Sequence, residues 1–460
     1  MSLIKSISGI RGTIGGKVND NLTPLDVVKF ASAFGTWLQN NKNKKDLTLI
    51  IGRDARISGS MVNSLVCATL QGLGIHVVDL GLSTTPTVEI MVPELDADGG
   101  IILTASHNPK QWNALKLLNE KGEFINGENG AEVLALAEAE DFNYAEVDDL
   151  GKYETRDDAF DIHIQQILDL PMVDVEAIKA KKYKIVLDAV NSTGGIAIPM
   201  LLDKLGCETV KLYCEPTGQF PHNPEPLKEH LGDICELVIK EKADFGVVVD
   251  PDVDRLALVD ENGEMFGEEY TLVAVADYLL KNKNGVAISN LSSSRALRDV
   301  AKTHSSEYFA SAVGEVNVVN LMKEKNAVIG GEGNGGIIYP ELHYGRDSLV
   351  GVALFLTHLA KENKTVSELR ASYPSYFMGK KKIELTPEIN VDELLTKMEK
   401  EYQNEEVSTV DGVKIDFENN WVHLRKSNTE PIIRIYTEAF SQEEADKLGD
   451  DMIAKIRSLI

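Results

Sequence analysis

Phe245-Gly246-Val247-Val248-Val249-Asp250-Pro251-Asp252-Val253-Asp254-Arg255 places a short apolar run directly before a polar loop, and Leu256-Ala257-Leu258-Val259 then resumes as a second apolar run. Short apolar runs bounded by turn residues predict buried strands. The same plan occurs earlier, where Leu47-Thr48-Leu49-Ile50-Ile51 leads into Gly52-Arg53-Asp54, a helical stretch and a strand over 75–80. A third short run, Gly100 to Leu103, ends there in Thr104-Ala105-Ser106-His107-Asn108-Pro109. Tyr183 to Leu187 and Glu208 to Tyr213 precede Phe245 in the same order. A further round runs through Gly285 to Ile288, Glu307 to Ala310 and Ala327 to Ile329, closing on Gly330-Gly331-Glu332-Gly333-Asn334-Gly335-Gly336. Strands alternating with helical stretches predict three similar α/β domains with mainly parallel mixed sheets, whose loops follow the carboxyl ends of strands. After residue 370 the pattern changes to charged helices and a hairpin-like pair, Trp421 to Leu424 and Ile432 to Tyr436, with a last amphipathic helix from Gln442. That predicts a smaller C-terminal α+β domain, the four domains surrounding one central cleft.

Length and charge narrow the function. At 460 residues the chain exceeds one compact core. A net charge of −25 excludes nucleic acid and anionic membrane surfaces as partners, because both demand clustered Lys and Arg. A phosphorylated substrate would then need cations gathered locally, and Arg11, Lys116, Arg255, Arg346 and Arg425 lie within or beside the polar loops. Cys67, Cys207, Cys214 and Cys235 fit neither a CxxC pair nor a zinc ribbon, and are expected to be reduced core thiols. The amino terminus lacks a signal-peptide apolar region and no run reaches membrane-spanning length, so the expected address is cytoplasmic.

Asp250, Asp252 and Asp254 concentrate three carboxylates at a strand end, an arrangement that is costly without a hard cation, and oxygen-only ligation points to Mg²⁺. An EF-hand is excluded because Arg255 stands where that loop needs glycine. Ser106 offers a hydroxyl in a sharp loop without the esterase elbow. Beside a magnesium cluster it becomes a phosphoryl carrier, since the ion can neutralise phosphate oxygens during transfer. Glu332 and Asn334 in the glycine-rich loop suit sugar hydroxyls. Arg425-Lys426-Ser427-Asn428-Thr429-Glu430-Pro431 can surround a phosphate that does not react.

Taken together these loops resemble the α-D-phosphohexomutase superfamily of phosphoglucomutases, phosphomannomutases and phosphoglucosamine mutases, over nearly the whole chain. The resemblance implies domains at 1–153 (serine loop), 154–255 (metal loop), 256–370 (sugar loop) and 371–460 (phosphate loop). It implies a phosphoserine at Ser106, and Mg²⁺ held by Ser106, Asp250, Asp252 and Asp254. Lys116 becomes the general acid/base, with His107 beside the serine also catalytic, and Arg11 and Arg255 stabilise the transferring group. Glu332, Asn334, Arg346, Arg425, Ser427, Asn428 and Thr429 bind substrate. The implied reaction interconverts hexose 6-phosphate and hexose 1-phosphate through a bisphosphate, with hexose 1,6-bisphosphate as activator, in a monomer or a homodimer.

The sugar loop and Ala312 to Asn317 look like the archaeal-type branch of phosphoglucosamine and phosphomannomutases; glucosamine phosphate is the expected substrate, with mannose and glucose phosphates as the alternative. Gly336 stands where many bacterial members have histidine, so no histidine role is carried there. Two rivals were weighed. Val247 to Val253 also resembles the first motif of aspartyl-phosphate phosphatases, in which Asp250 would be the nucleophile and Asp252 the acid/base. A sugar-phosphate-binding regulator without chemistry would never become phosphorylated.

Overall fold

The computed structural model describes residues 2–6, 9–42, 44, 46–384, 389–426 and 432–459. It contains two compact units, Met1–Thr271 with Gly335–Glu368, and Leu272–Asn334 with Leu369–Ile460.

In the first unit, a seven-stranded sheet runs in the order Ile4–Ser6, Gly9–Thr13, Trp112–Leu118, Gly99–Leu103, Thr48–Arg53, His76–Leu82, Tyr153–Thr155. Thr48–Arg53 pairs in parallel with both neighbours, as the alternating pattern predicts. Gly9–Thr13 and Trp112–Leu118 add an antiparallel half that the repeat did not reveal. Period-two alternation explains how both faces are buried. Leu49, Ile51, Ile101, Leu103, Leu115 and Leu117 face a core with Phe30 and Phe34. Ile50, Ile102 and Leu118 face the other, with Val88 and Met91 of the helix Thr85–Glu94. Lys116, two residues before Leu118, therefore projects toward the second face.

A four-stranded sheet follows in the order Leu256–Val259, Phe245–Val249, Lys184–Asp188, Glu208–Leu212. Its last three strands are parallel and Leu256–Val259 returns antiparallel, so the loop 250–255 is a tight turn between paired strands. The hydroxyls of Ser192 and Thr193, ahead of the helix Gly194–Lys204, both donate to Pro251 O at 2.7 and 2.9 Å and fix the middle of that turn.

In the second unit, Val286–Asn290 pairs in parallel with Glu307–Ser311 and Ile329–Glu332. The C-terminal domain is an antiparallel sheet in the order Phe377–Glu384, Ile432–Ala439, Trp421–Lys426, Val413–Asp416, Glu406–Ser408. Its apolar face, with Ile415, Val422, Leu424, Ile433 and Ile435, packs on Leu394 and Met398 of one helix and Met452 and Ile456 of another. The expected hairpin-like pair is present, with Leu424 opposite Ile435.

The other face of that sheet buries polar groups. His423 is fully buried, with Nδ1 2.9 Å from Ser292 Oγ and Nε2 2.6 Å from Asp411 O. A carbonyl can only accept, so Nε2 carries the proton and Nδ1 accepts from the serine. Burial, followed by the repulsion of Lys414, pushes the His423 pKa down to about 4. An imidazole kept neutral by folding contributes stability that is complete above the unfolded value near 6.5, and is lost as pH falls toward 4. Across that window the loss is about 3 kcal/mol. Urea unfolding of the wild type should lose that much between pH 7 and pH 4, followed by the fluorescence of buried Trp421. His423→Gln should flatten this part of the slope, and an unchanged slope in the variant would remove His423 as its cause.

The four cysteines are free, as expected, but only Cys67 is fully buried. Cys207 and Cys214 are half-buried because they flank the edge strand Glu208–Leu212, and Cys235 is half-buried on the helix Gly232–Glu241. Among the described residues no helix is long and apolar enough to cross a membrane.

Candidate active site

The turn after Phe245–Val249 buries Asp250, Asp252 and Asp254 completely. One carboxylate oxygen from each lies within 4.8 Å of the others, and among the described residues this is the cluster of His, Cys, Asp or Glu side chains close enough to hold an ion. Building the turn forces Val253 to a φ of 64°, a left-handed conformation that is unfavourable for a β-branched residue. Ser106, on the loop after Gly99–Leu103, is left-handed as well, at φ 46°. Its Oγ donates to Asp250 Oδ2 at 2.7 Å. The serine and the aspartates, 144 positions apart at this contact, thus meet in one site.

The cations are gathered as the acidic background requires. Lys116 Nζ is 2.8 Å from Asp252 Oδ2 and 3.8 Å from Asp254 Oδ2. Arg346 donates to Asp254 Oδ2 at 2.6 Å. It is placed there by Asp347, whose carboxylate caps the helix Ser348–Glu362 by accepting from Leu349 N and Val350 N. The backbone N–H groups of Asp254 and Arg255 both donate to Asp250 Oδ1 at 3.1 Å. The Arg255 guanidinium reaches Glu225 at 3.3 Å, yet its Nε is buried with no hydrogen-bond partner among the described residues. Burial and then the repulsion of Arg255 lower the Arg11 pKa, so these two guanidinium groups lie close enough to repel one another.

Protonation follows from these contacts. Burial, then the neighbouring Asp254 and Asp252, raises the Asp250 pKa well above the ordinary carboxylate range. Burial also opposes the charge on Asp252, but Lys116 and the Thr85 hydroxyl outweigh it and hold this carboxylate below the ordinary range. For Lys116, burial would favour the neutral amine; Asp252 and Asp254 overcome it, and the ammonium persists. His107 is pushed down to about 2 by burial and then by Arg255. Its neutral Nδ1 lies 3.4 Å from Ser106 Oγ.

Thr85, at the start of the helix Thr85–Glu94, was not singled out from sequence. Its hydroxyl donates to Asp252 Oδ2 at 2.7 Å and its N–H to Asp252 O at 2.9 Å. Asp54, Arg56 and Thr104 were missed likewise. The carboxylate of Asp54 accepts from Arg56 Nε at 2.9 Å and from Thr104 Oγ1 at 2.7 Å, and Ser106 N in turn donates to Thr104 Oγ1 at 2.9 Å. The Gly52-Arg53-Asp54 turn signal contained Asp54 and the serine loop contained Thr104, and nothing local marked Arg56.

Whether this triad suits a divalent ion can be judged from its hydrogen bonds. Asp252 Oδ1 and Asp254 Oδ1 are buried with no hydrogen-bond partner among the described residues. A buried anionic oxygen without a donor is costly unless a cation meets it, and an all-oxygen donor set fits Mg²⁺.

In the second unit Glu332 ends the strand Ile329–Glu332, where its Oε1 accepts from Asn290 Nδ2 at 2.9 Å and Gly314 N at 3.1 Å. Asn334 follows in the same loop, half-buried. Arg425 Nε pairs with Asp411 Oδ2 at 2.7 Å. Ser427, Asn428 and Thr429 lie outside the described residues.

The chain matches the phosphoglucomutase/phosphomannomutase family models over all four of their parts. These are α/β/α domains I, II and III at residues 4–144, 161–263 and 267–376, and the C-terminal domain at 383–455. It is 37% identical over 440 residues to a phosphoglucomutase/phosphomannomutase of Thermococcus kodakarensis, covering 94% of this chain and 95% of that one. It is 34% identical over 463 residues to a phosphoglucosamine/phosphogalactosamine mutase of Sulfurisphaera tokodaii, covering 98% of each. A crystal structure of a phosphoglucomutase/phosphomannomutase family protein from Burkholderia thailandensis superposes with a TM-score of 0.85 at 25% identity, over 99% of this chain and 98% of that one.

Proposed function

The chain belongs to the phosphoglucomutase/phosphomannomutase family of the α-D-phosphohexomutase superfamily, and from that premise we propose that it interconverts glucosamine 6-phosphate and glucosamine 1-phosphate through phosphorylated Ser106. The phosphomutase class follows from the family. The carrier and the sugar are our reading. The observation behind the carrier is the 2.7 Å contact between Ser106 Oγ and Asp250 inside a buried carboxylate triad.

Asp250, Asp252, Asp254 and the Ser106 phosphate would hold Mg²⁺, which supplies charge neutralisation to the phosphoryl oxygens when bound. In the first transfer the P–O bond to Ser106 Oγ breaks and a P–O bond to the free hydroxyl of a hexose monophosphate forms. The proton leaving that hydroxyl is balanced by one arriving at Ser106 Oγ. Lys116, kept as an ammonium by Asp252, is assigned the proton that reaches the departing oxygen and, once neutral, takes the one that leaves the hydroxyl, and neutral His107 orients the serine. Arg11 and Arg255 face the charge that develops on the phosphoryl group, and Arg346 holds Asp254 in place. The bisphosphate then turns over and returns its other phosphate to Ser106. Loss of that intermediate would strand an unphosphorylated enzyme, which is why a hexose 1,6-bisphosphate acts as activator. Glu332 and Asn334 are assigned the sugar hydroxyls, and Arg425 with Ser427, Asn428 and Thr429 the phosphate that does not react.

Glucosamine is supported by relatives named phosphoglucosamine mutase at 32–34% identity, while the relative at 37% is named phosphoglucomutase/phosphomannomutase and keeps glucose and mannose phosphates as the alternatives. Turnover of the 1-phosphates of glucosamine, glucose and mannose, measured side by side, should give the highest kcat/KM for glucosamine 1-phosphate. A tenfold advantage for glucose or mannose would overturn the sugar assignment while leaving the mutase. Release of inorganic phosphate in place of hexose 6-phosphate would overturn the mutase reading itself.

A further inference from the structure

Arg56 is the largest charged side chain fully withdrawn from solvent among the described residues, and nothing in the proposed reaction uses it directly. Its Nε donates to Asp54 at 2.9 Å. Its other guanidinium hydrogen bonds go to the backbone that carries Ser106. Nη1 donates to the carbonyls of Pro109 at 2.8 Å and Trp112 at 3.1 Å, and Nη2 to those of Asn108 at 2.8 Å and Ser106. The ring of Phe220 lies over the guanidinium, 5.1 Å from its carbon. Behind the serine, Asp54 grips Thr104 Oγ1, and that oxygen accepts the N–H of Ser106.

One ion pair therefore holds both ends of a strained residue. A left-handed serine is strained, and a loop left to itself would relax out of that conformation. Four carbonyls directed at one planar fork fix the loop as a lysine cannot, because an ammonium has three donors and no plane. We propose that Arg56 is the positioning residue for phosphoryl transfer at Ser106, holding its Oγ at the carboxylate triad through the carbonyls of residues 106–112, with Asp54 and Thr104 completing the clamp. This rests on the carrier role of Ser106 proposed above.

The test is Arg56→Lys in the full-length protein, which keeps the charge opposite Asp54 and removes the fork. Three quantities are read: kcat and KM for glucosamine 1-phosphate, the rate at which intact mass reports phosphoryl uptake from glucose 1,6-bisphosphate, and the melting temperature. Positioning predicts that kcat and uptake rate fall together by roughly 10- to 100-fold, with KM within twofold, because the serine is misplaced while the sugar site is untouched. Thr104→Val, nearly isosteric, should shift kcat and uptake in the same direction by a smaller factor, and it carries the test alone if Arg56→Lys does not fold. A folded Arg56→Lys protein with wild-type uptake overturns the proposal. So does a loss of activity matched only by a loss of folded protein, or a Thr104→Val protein indistinguishable from wild type. A wild-type chain that takes up no phosphoryl group overturns the carrier reading, and this proposal with it.

Discussion

Ser106→Ala removes measurable hexose phosphate interconversion, a loss on the order of 10⁶-fold if deleting this nucleophile costs what it does in other covalent catalysts. The whole effect comes from one oxygen. The Oγ that donates to Asp250 at 2.7 Å is the atom that would carry phosphate, and alanine leaves the triad, Lys116 and both guanidinium groups in place. Stability should change little, because the substitution removes one hydrogen bond and keeps a left-handed residue where it was. Intact mass after incubation with glucose 1,6-bisphosphate should show a phosphoryl increment on the wild type and none on the variant. Retention of even a hundredth of wild-type turnover would eliminate Ser106 as the carrier.

Asp252→Asn is expected to be the next most damaging change, lowering turnover by roughly 10²- to 10⁴-fold, since several kcal/mol of charge stabilisation would be withdrawn from the transfer. Asparagine keeps the shape and can still accept from Thr85, so the turn itself should survive. What goes is the formal charge that pairs with Lys116 at 2.8 Å and the anionic Oδ1 that has no other partner. The Mg²⁺ concentration for half-maximal turnover should rise at least tenfold, and calorimetric Mg²⁺ binding should weaken by the same factor. If binding and turnover both stayed within threefold of wild type, Asp252 would not be a metal ligand.

How much of this could be read from the chain depends on how local each feature is. The parallel strands were legible because each announces itself as a short apolar run before a polar loop, and Thr48–Arg53, Phe245–Val249 and Val286–Asn290 lie within two residues of where that pattern puts them. The triad was legible because its three members are separated by one residue each. The antiparallel strands Gly9–Thr13 and Trp112–Leu118 were not. Buried Asn113 and Lys116 interrupt the apolar alternation that would have marked the second of them, and Lys116 tolerates burial only because a carboxylate 136 positions away neutralises it. Arg56 and Thr85 escaped for the same reason. Arginine three residues after a strand reads as a surface charge, and threonine ahead of proline reads as a helix start. Neither reading knows that the partner is a loop fifty or more positions onward.

The hydrogen bonds from Thr85, Ser106 and Lys116 to Asp252 and Asp250 all run from the family's domain I to its domain II. On the proposed roles neither domain holds a complete set of reacting groups, so the seam where they meet would be part of the catalyst and not a packing convenience. Inheritance then acts on the pair. A first domain borrowed from a distant cousin would bring its serine to a seat shaped for another, and neutral drift along one side of the seam is permitted only where the opposite side follows.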